Sequence, residues 1–171
     1  EKFTLIHAVP ADLVDIEALL DCAFGPGREA KTSYRLREGV DACEELCFVA
    51  RDTTSGKICG SIQYWPITLV FDDNSKPEQS LLLGPLAIHP DCQGQGIGQA
   101  LMTHTLGLAA EQGHKSVILV GDEPYYAKAG FSKLGAMGLR MPGPFDPARL
   151  LGRNLVDGAL MGKSAKITKG V

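Results

Sequence analysis

The sequence predicts a mixed α/β fold around a sheet with antiparallel neighbours, not a doubly wound one. Three observations carry that. Strand-like runs at 46–52, 57–67 and 81–88 follow one another with no helix between them. A helix pattern, a fully apolar strand and a second helix then alternate. The 171 residues, 44% hydrophobic and 22% charged, suit one domain over 1–171, because two cores in this length would each be too small.

Each element has a local reason. KFTLIHAV (2–9) mixes β-branched and aromatic residues and stops at Pro10, which predicts a first strand. In 11–25 the apolar residues Leu13, Ile16, Leu20 and Ala23 keep helical spacing, with Asp12 as the start cap and Gly25 at the end. A second helix is expected over 28–39, ending at Gly39, with a thin apolar face suited to exposure or ligand contact. TTSG (53–56) between two strand patterns predicts a hairpin, and 72–80 is a polar loop. LLLGPLAI (81–88) is a central strand, yet Pro85 cannot donate to a ladder, so a bulge or a break in pairing is expected there. Leu101, Met102, Thr105, Leu106, Leu108 and Ala109 form a broad helix face ending at Gly113, and 116–122 is a buried strand of the parallel type. Pro124 and Gly130 bracket a helix, and Asp146, Pro147 and Gly152 predict another over 145–152; the remaining strands fall in 154–167.

Composition excludes several classes. A net charge of −3 leaves no basic excess for nucleic-acid phosphates. The longest apolar stretches, such as 80–88, are too short to span a bilayer, and the amphipathic pattern after Lys2 is unlike a cleavable signal. Cys22, Cys43, Cys47, Cys59 and Cys92 show no paired CxxC spacing and no clustered histidine, so no metal site is expected; free thiols point to a reducing cytoplasm. His7, His104 and His114 look incidental.

HPDCQGQGIGQAL (89–101) places Gly94, Gly96 and Gly98 within five residues, each at a cost in backbone entropy. A dinucleotide fingerprint fails because Gln99 stands where its third glycine belongs. A Walker loop at Gly162–Ser164 fails because Asp157 occupies the position of its first glycine. What remains is Q-x-x-G-x-G over Gln93–Gly98, between a strand and a helix, where successive N–H groups make an anion site suited to a pyrophosphate. A tight turn that binds nothing is the alternative.

LGPLAIHPDCQGQGIGQALM (83–102) resembles the acetyl-CoA-binding motif of the GNAT acetyltransferase superfamily, and YYAKAGF (125–131) is similar to its later aromatic-Tyr signature. The two stand at the family's usual separation with a buried strand between them, and GD-x-x-YY is similar to a bacterial type whose substrate is often unassigned. The resemblance implies a twisted, mostly antiparallel sheet of about six to seven strands flanked by helices, splayed into a V between strands 4 and 5. It divides the chain into a substrate-side half (1–80), an acetyl-CoA core (81–131) and C-terminal strands with a substrate-side tail (132–171). It gives Pro85 a use, as the point where pairing is abandoned and the pantetheine arm takes the free main chain.

Acetyl transfer requires an amine made neutral, donors for a tetrahedral oxyanion and an acid for the leaving thiolate. The resemblance implies main-chain donors at Leu86, Ala87 and Ile88, cofactor contacts at Gln93, Gly94, Gln95, Gly96, Ile97, Gly98, Gln99, Tyr126 and Lys128, and Tyr126 as the acid. A phenol with a pKa near ~10 is roughly matched to an alkyl thiolate. Tyr125 fits a core aromatic better. No glutamate occupies the apolar fourth strand (Leu81, Leu82, Leu83), so the base is His89, Asp122 or a water chain. The implied acceptor, a primary amine on a small molecule or a protein, meets 25–39, 63–67 and 143–154, where Tyr34, Tyr64 and Trp65 are candidates to wall a pocket. The expected protein is a monomer or homodimer that binds acetyl-CoA without a metal. A non-catalytic acyl-CoA sensor is the alternative, against which the intact glycine motif and Tyr126 argue.

Overall fold

A computed structural model describes residues 2–25 and 27–170. Among these residues the α-helices and strands follow in chain order: β1 (Phe3–His7), α1 (Leu13–Phe24), α2 (Thr32–Arg35), β2 (Phe48–Asp52), β3 (Ile58–Phe71), β4 (Glu78–Ile88), α3 (Ile97–Glu111), β5 (Ser116–Val120), α4 (Glu123–Tyr126), β6 (Leu139–Arg140), β7 (Leu150–Asn154) and β8 (Ala165–Lys169). The strands form one sheet in the order β1-β2-β3-β4-β5-β7. The far half of β3 leaves β2 behind and takes β8 as its antiparallel neighbour, and β8 carries β6. Pairing is antiparallel except at β4–β5 and β6–β8. The expected mixed α/β sheet with helices on its faces is therefore present.

The hairpin closes through its own turn. The Asp52 carboxylate accepts the N–H groups of Thr54 and Ser55, each at 2.8 Å, and Gly56 turns the chain with φ 74°. The middle of each strand, 81–83 in β4 and 117–119 in β5, is buried on both faces, which explains the apolar runs there. Leu81, Leu83, Val117 and Leu119 pack beneath α3 with Leu101, Met102 and Leu106. Leu82 and Ile118 face the opposite side, among Leu36, Ile67, Leu139 and Leu150. On the second face α1 lays Ile16, Leu19 and Leu20 against Val49 and Ala87.

Three local expectations are corrected. Asp12 does not cap α1, because it already has helical angles in the turn Pro10–Asp12. Its carboxylate reaches back to the Val9 N–H at 2.9 Å and across to Arg51 at 2.5 Å. The helix expected over 28–39 breaks at Lys31, whose extended ψ of 143° separates the turn Arg28–Ala30 from the single turn of α2. Only Leu36 of that stretch is an apolar residue in the core, too little burial to hold a longer helix. The helix expected over 145–152 is one turn, after which the chain enters β7. The Asp146 carboxylate does accept the Ala148 N–H at 2.9 Å. Pairing with the second edge of β5 then wins, since an extended chain sends Leu150 and Leu151 into opposite cores.

Tyr64 is fully buried, with its hydroxyl 2.7 Å from Thr105 Oγ1, which itself donates to the Leu101 carbonyl. It is a core residue and walls no pocket. Tyr64→Phe is expected to lower stability by about 1–2 kcal/mol with an unchanged denaturant slope, read from urea unfolding.

Candidate active site

The site begins where β4 leaves β5. Their parallel pairing covers only Leu81–Val117 and Leu82–Ile118. Immediately beyond, the register with β3 shifts: Tyr64 opposes Leu83 and Ile62 opposes Leu86, so Gly84 and Pro85 together face Gln63 alone. This is a bulge in β4, at the residue where proline made one necessary. Gly84 has φ 141°, open to glycine, and the Gly84–Pro85 bond is cis. Trp65 Nε1 donates to the Gly84 carbonyl at 2.7 Å and pins the bulge.

The parted strands wall a cavity of about 660 Å³. Leu83–Leu86 form one side and Val120–Asp122 the other, with Tyr125 and Tyr126 also in the lining. Tyr34 and Arg37 from the α2 region and Phe145 and Arg149 from the loop before β7 complete it. Tyr126 packs edge-on to Phe131 and Tyr125, with centroids 6.2 and 5.0 Å away. Gly121 makes room for it, since a Cβ there would lie 2.3 Å from Tyr126 Cε2. Burial pushes the Tyr126 phenol up to about 12, helped by Tyr125 and Asp122 and opposed by Arg149.

Beside the cavity, the glycine loop leads into α3. Gly94 and Gly96 have φ 81° and 78°, and no atom lies within 4 Å of a Cβ placed on either. Their role is therefore conformational: a left-handed turn leading into α3, with open space around both glycines. Gly98 is different. A Cβ there would lie 2.0 Å from the Tyr125 hydroxyl, so its bareness lets that ring lie over the start of α3.

The acetyltransferase (GNAT) domain family matches residues 43–133. The N-acetyltransferase YhbS of Escherichia coli is 30% identical over 154 residues, covering 90% of this chain and 88% of that protein. This chain belongs to the GNAT acetyltransferase family. A second E. coli N-acetyltransferase, YjhQ, is 30% identical over 129 residues, 75% of this chain and 69% of that one. The crystal structure of E. coli YhbS in complex with CoA superposes with a TM-score of 0.81 at 27% identity, over 98% of this chain and 89% of that one. A GNAT acetyltransferase from Brucella melitensis shares the fold, with a TM-score of 0.60 at 23% identity over 87% and 94% of the two chains.

Within this GNAT fold the residues singled out from sequence separate. Leu86 lines the cavity. Ala87 is buried against α1, and Ile88 packs on the α3 side opposite Gly60. Gln93, Gly94, Gln95 and Gly96 are exposed in the loop, and Ile97 anchors α3 in the core. Gln99 Nε2 donates to the Tyr125 carbonyl at 3.3 Å, and Lys128 is exposed in the turn after α4. The expectation for Tyr125 is corrected: it is 38% exposed, whereas Tyr126 is the ring packed against the core. His89 serves its own turn, accepting the Asp91 N–H at 3.1 Å. Asp122 is not a side-chain cap, since its carboxylate is taken by Arg149 at the cavity. Tyr34 lines the cavity, while Trp65 acts through Gly84 and Arg37. Arg37, Gly121 and Arg149 were missed as individuals. The GD before the tyrosine pair was the available signal for Gly121; the arginines lay in stretches marked for acceptor contact. Pro26, in one of those stretches, lies outside the described residues.

Gly121→Ala should force the Tyr126 ring from its seat. The expected cost is about 1–3 kcal/mol of stability, the range for overpacking, measured by urea unfolding.

Proposed function

We propose that this chain transfers the acetyl group of acetyl-CoA to a primary amine by direct attack. The observation that carries the reading is the cavity between β4 and β5, open beside Tyr126 and next to the glycine loop. The empty space over Gly94 and Gly96 fits a pyrophosphate held by the N–H groups of Gln93–Gly98 and the first turn of α3, including Gln99. The edge of β4 facing away from β3, over Leu83–Ile88, has no strand partner among the described residues and suits a pantetheine arm. YhbS, whose structure holds CoA, supports this choice of ligand.

Bound acetyl-CoA supplies an activated thioester carbonyl and a thiolate leaving group. Main-chain N–H groups near Leu86–Ile88 donate to the carbonyl oxygen as charge gathers on it. Tyr126 keeps its proton throughout the neutral range, because burial holds the phenol near 12. That is above the ~8.5 of an ordinary thiol, so the match expected from sequence is looser. Tyr126 therefore works chiefly as a hydrogen-bond donor to the departing sulfur. The middle of β4 is apolar and Asp122 is engaged by Arg149, so the ammonium proton leaves to solvent in the cavity.

Tyr126→Phe keeps the ring and removes the donor. Single-turnover transfer is expected to slow by roughly 10²–10³-fold with acetyl-CoA affinity nearly unchanged. Equal rates would make Tyr126 a packing residue. The raised pKa also sets a sign: the protonated phenol persists past pH 10, so the Tyr126-dependent fall in rate should centre near 12. A kcat profile on both proteins reads it.

Gly96→Val places a β-branched residue at φ 78° in the path of the phosphates. Acetyl-CoA binding should weaken at least about tenfold, read by thermal-shift titration. Stabilisation of the unaltered protein by NAD but not by CoA would count against the loop's assignment.

A further inference from the structure

The cavity is lined by four cationic side chains, Arg28, Lys31, Arg37 and Arg149, and two carboxylates, Asp122 and Asp146. Most of these charges are already committed. Arg28, only 9% exposed, is paired with both Glu17 and Asp21 of α1, and Arg149 with Asp122. The Asp146 carboxylate accepts the Ala148 N–H, and the Lys31 ammonium rests 5.0 Å from the Phe24 ring centroid.

Arg37 differs. Its guanidinium carbon lies 4.0 Å from the Tyr34 ring centroid and 4.4 Å from that of Trp65. It is half-buried, and among the described residues no carboxylate forms an ion pair with it. Aromatic faces attract the cation and fix its plane but accept none of its N–H groups. The N–H groups of Arg37 border the cavity and, among the described residues, are not committed to a carboxylate, so the arrangement suits an acceptor that arrives with a ligand. Trp65 is itself held by the Gly84 carbonyl, so the stacked arginine is referenced to the bulge where the strands part.

We propose that Arg37 binds a carboxylate on the acceptor, and that the amine acetylated is a small amino acid, not an amine that lacks a carboxylate. This rests on the transferase reading above. A stacked, planar fork with free N–H groups matches the two oxygens of a carboxylate, and a fork already immobilised loses little entropy on binding. The cavity of about 660 Å³ is of small-ligand size. Arg37 is thus a specificity-determining residue, reaching the acceptor at the end away from the reacting nitrogen.

The test uses the full chain with acetyl-CoA and two matched series of acceptors: free amino acids with α- or ω-amines, and the same compounds as carboxamides. Ethanolamine and its phosphate ester form a third arm. The free acids are expected to exceed their amides in kcat/KM by roughly 10- to 100-fold, the range for a charge-assisted bond. Arg37→Met should collapse that ratio toward one while leaving the acetyl-CoA thermal shift intact, and Arg37→Lys should restore part of it. Amides that react as well as acids, a ratio that survives Arg37→Met, or faster turnover of the phosphate ester than of any carboxylate overturns the proposal. So does transfer to protein amines with none to either small-molecule series. Failure of acetyl-CoA to bind, or of any amine to react, instead removes the transferase reading beneath it.

Discussion

β4 and β5 share two residue pairs and then separate, and most of what matters in this protein depends on that limit. A sheet of this size gains from continuing its ladder, since buried main-chain groups need partners. The bulge at Gly84–Pro85 prevents it by spending an extra residue on β4 while β3 continues opposite. That leaves the edge of β4 beyond Leu82 without a strand partner among the described residues. The cavity, its neighbouring loop and the seat of Tyr126 are consequences of that separation.

The surroundings are arranged to keep the gap open. Below it, Leu81, Leu82, Val117 and Ile118 are packed on both faces, so the joined part of the two strands is held firmly by core on either side. Above it, β7 holds the outer edge of β5, and β3, itself backed by β2, holds β4 past the bulge. The strands that part are thus each tied to a neighbour on their far side. The gap therefore lies between two intact ladders inside the sheet and not at a fraying edge.

Much of this was legible in the sequence. Pro85 marked the break because a residue without an N–H cannot continue a central ladder, whatever surrounds it. Gly94 and Gly96 marked the loop because positive φ is hard for other residues. Two of the errors share a cause, which is that long-range contacts overrode local signals. Asp146 and Pro147 do begin a turn, yet the free edge of β5 draws Leu150–Asn154 into a strand. Asp12 looks like a cap, but Arg51 on β2 takes its carboxylate. Tyr125 and Tyr126 are adjacent with the same chemistry. Only the bare positions Gly98 and Gly121, each opposite one ring, decide which tyrosine lies over α3 and which lies against the core.

Trp65 is the single tryptophan in the chain. Its indole donates to the Gly84 carbonyl at the bulge and carries the Arg37 guanidinium near its ring. Both contacts alter the polarity felt by the indole, and both belong to the site. The protein therefore contains one indole fluorophore, placed where the strands divide, with no other tryptophan to dilute its emission. Occupancy of the site can be followed optically, in real time and without a label.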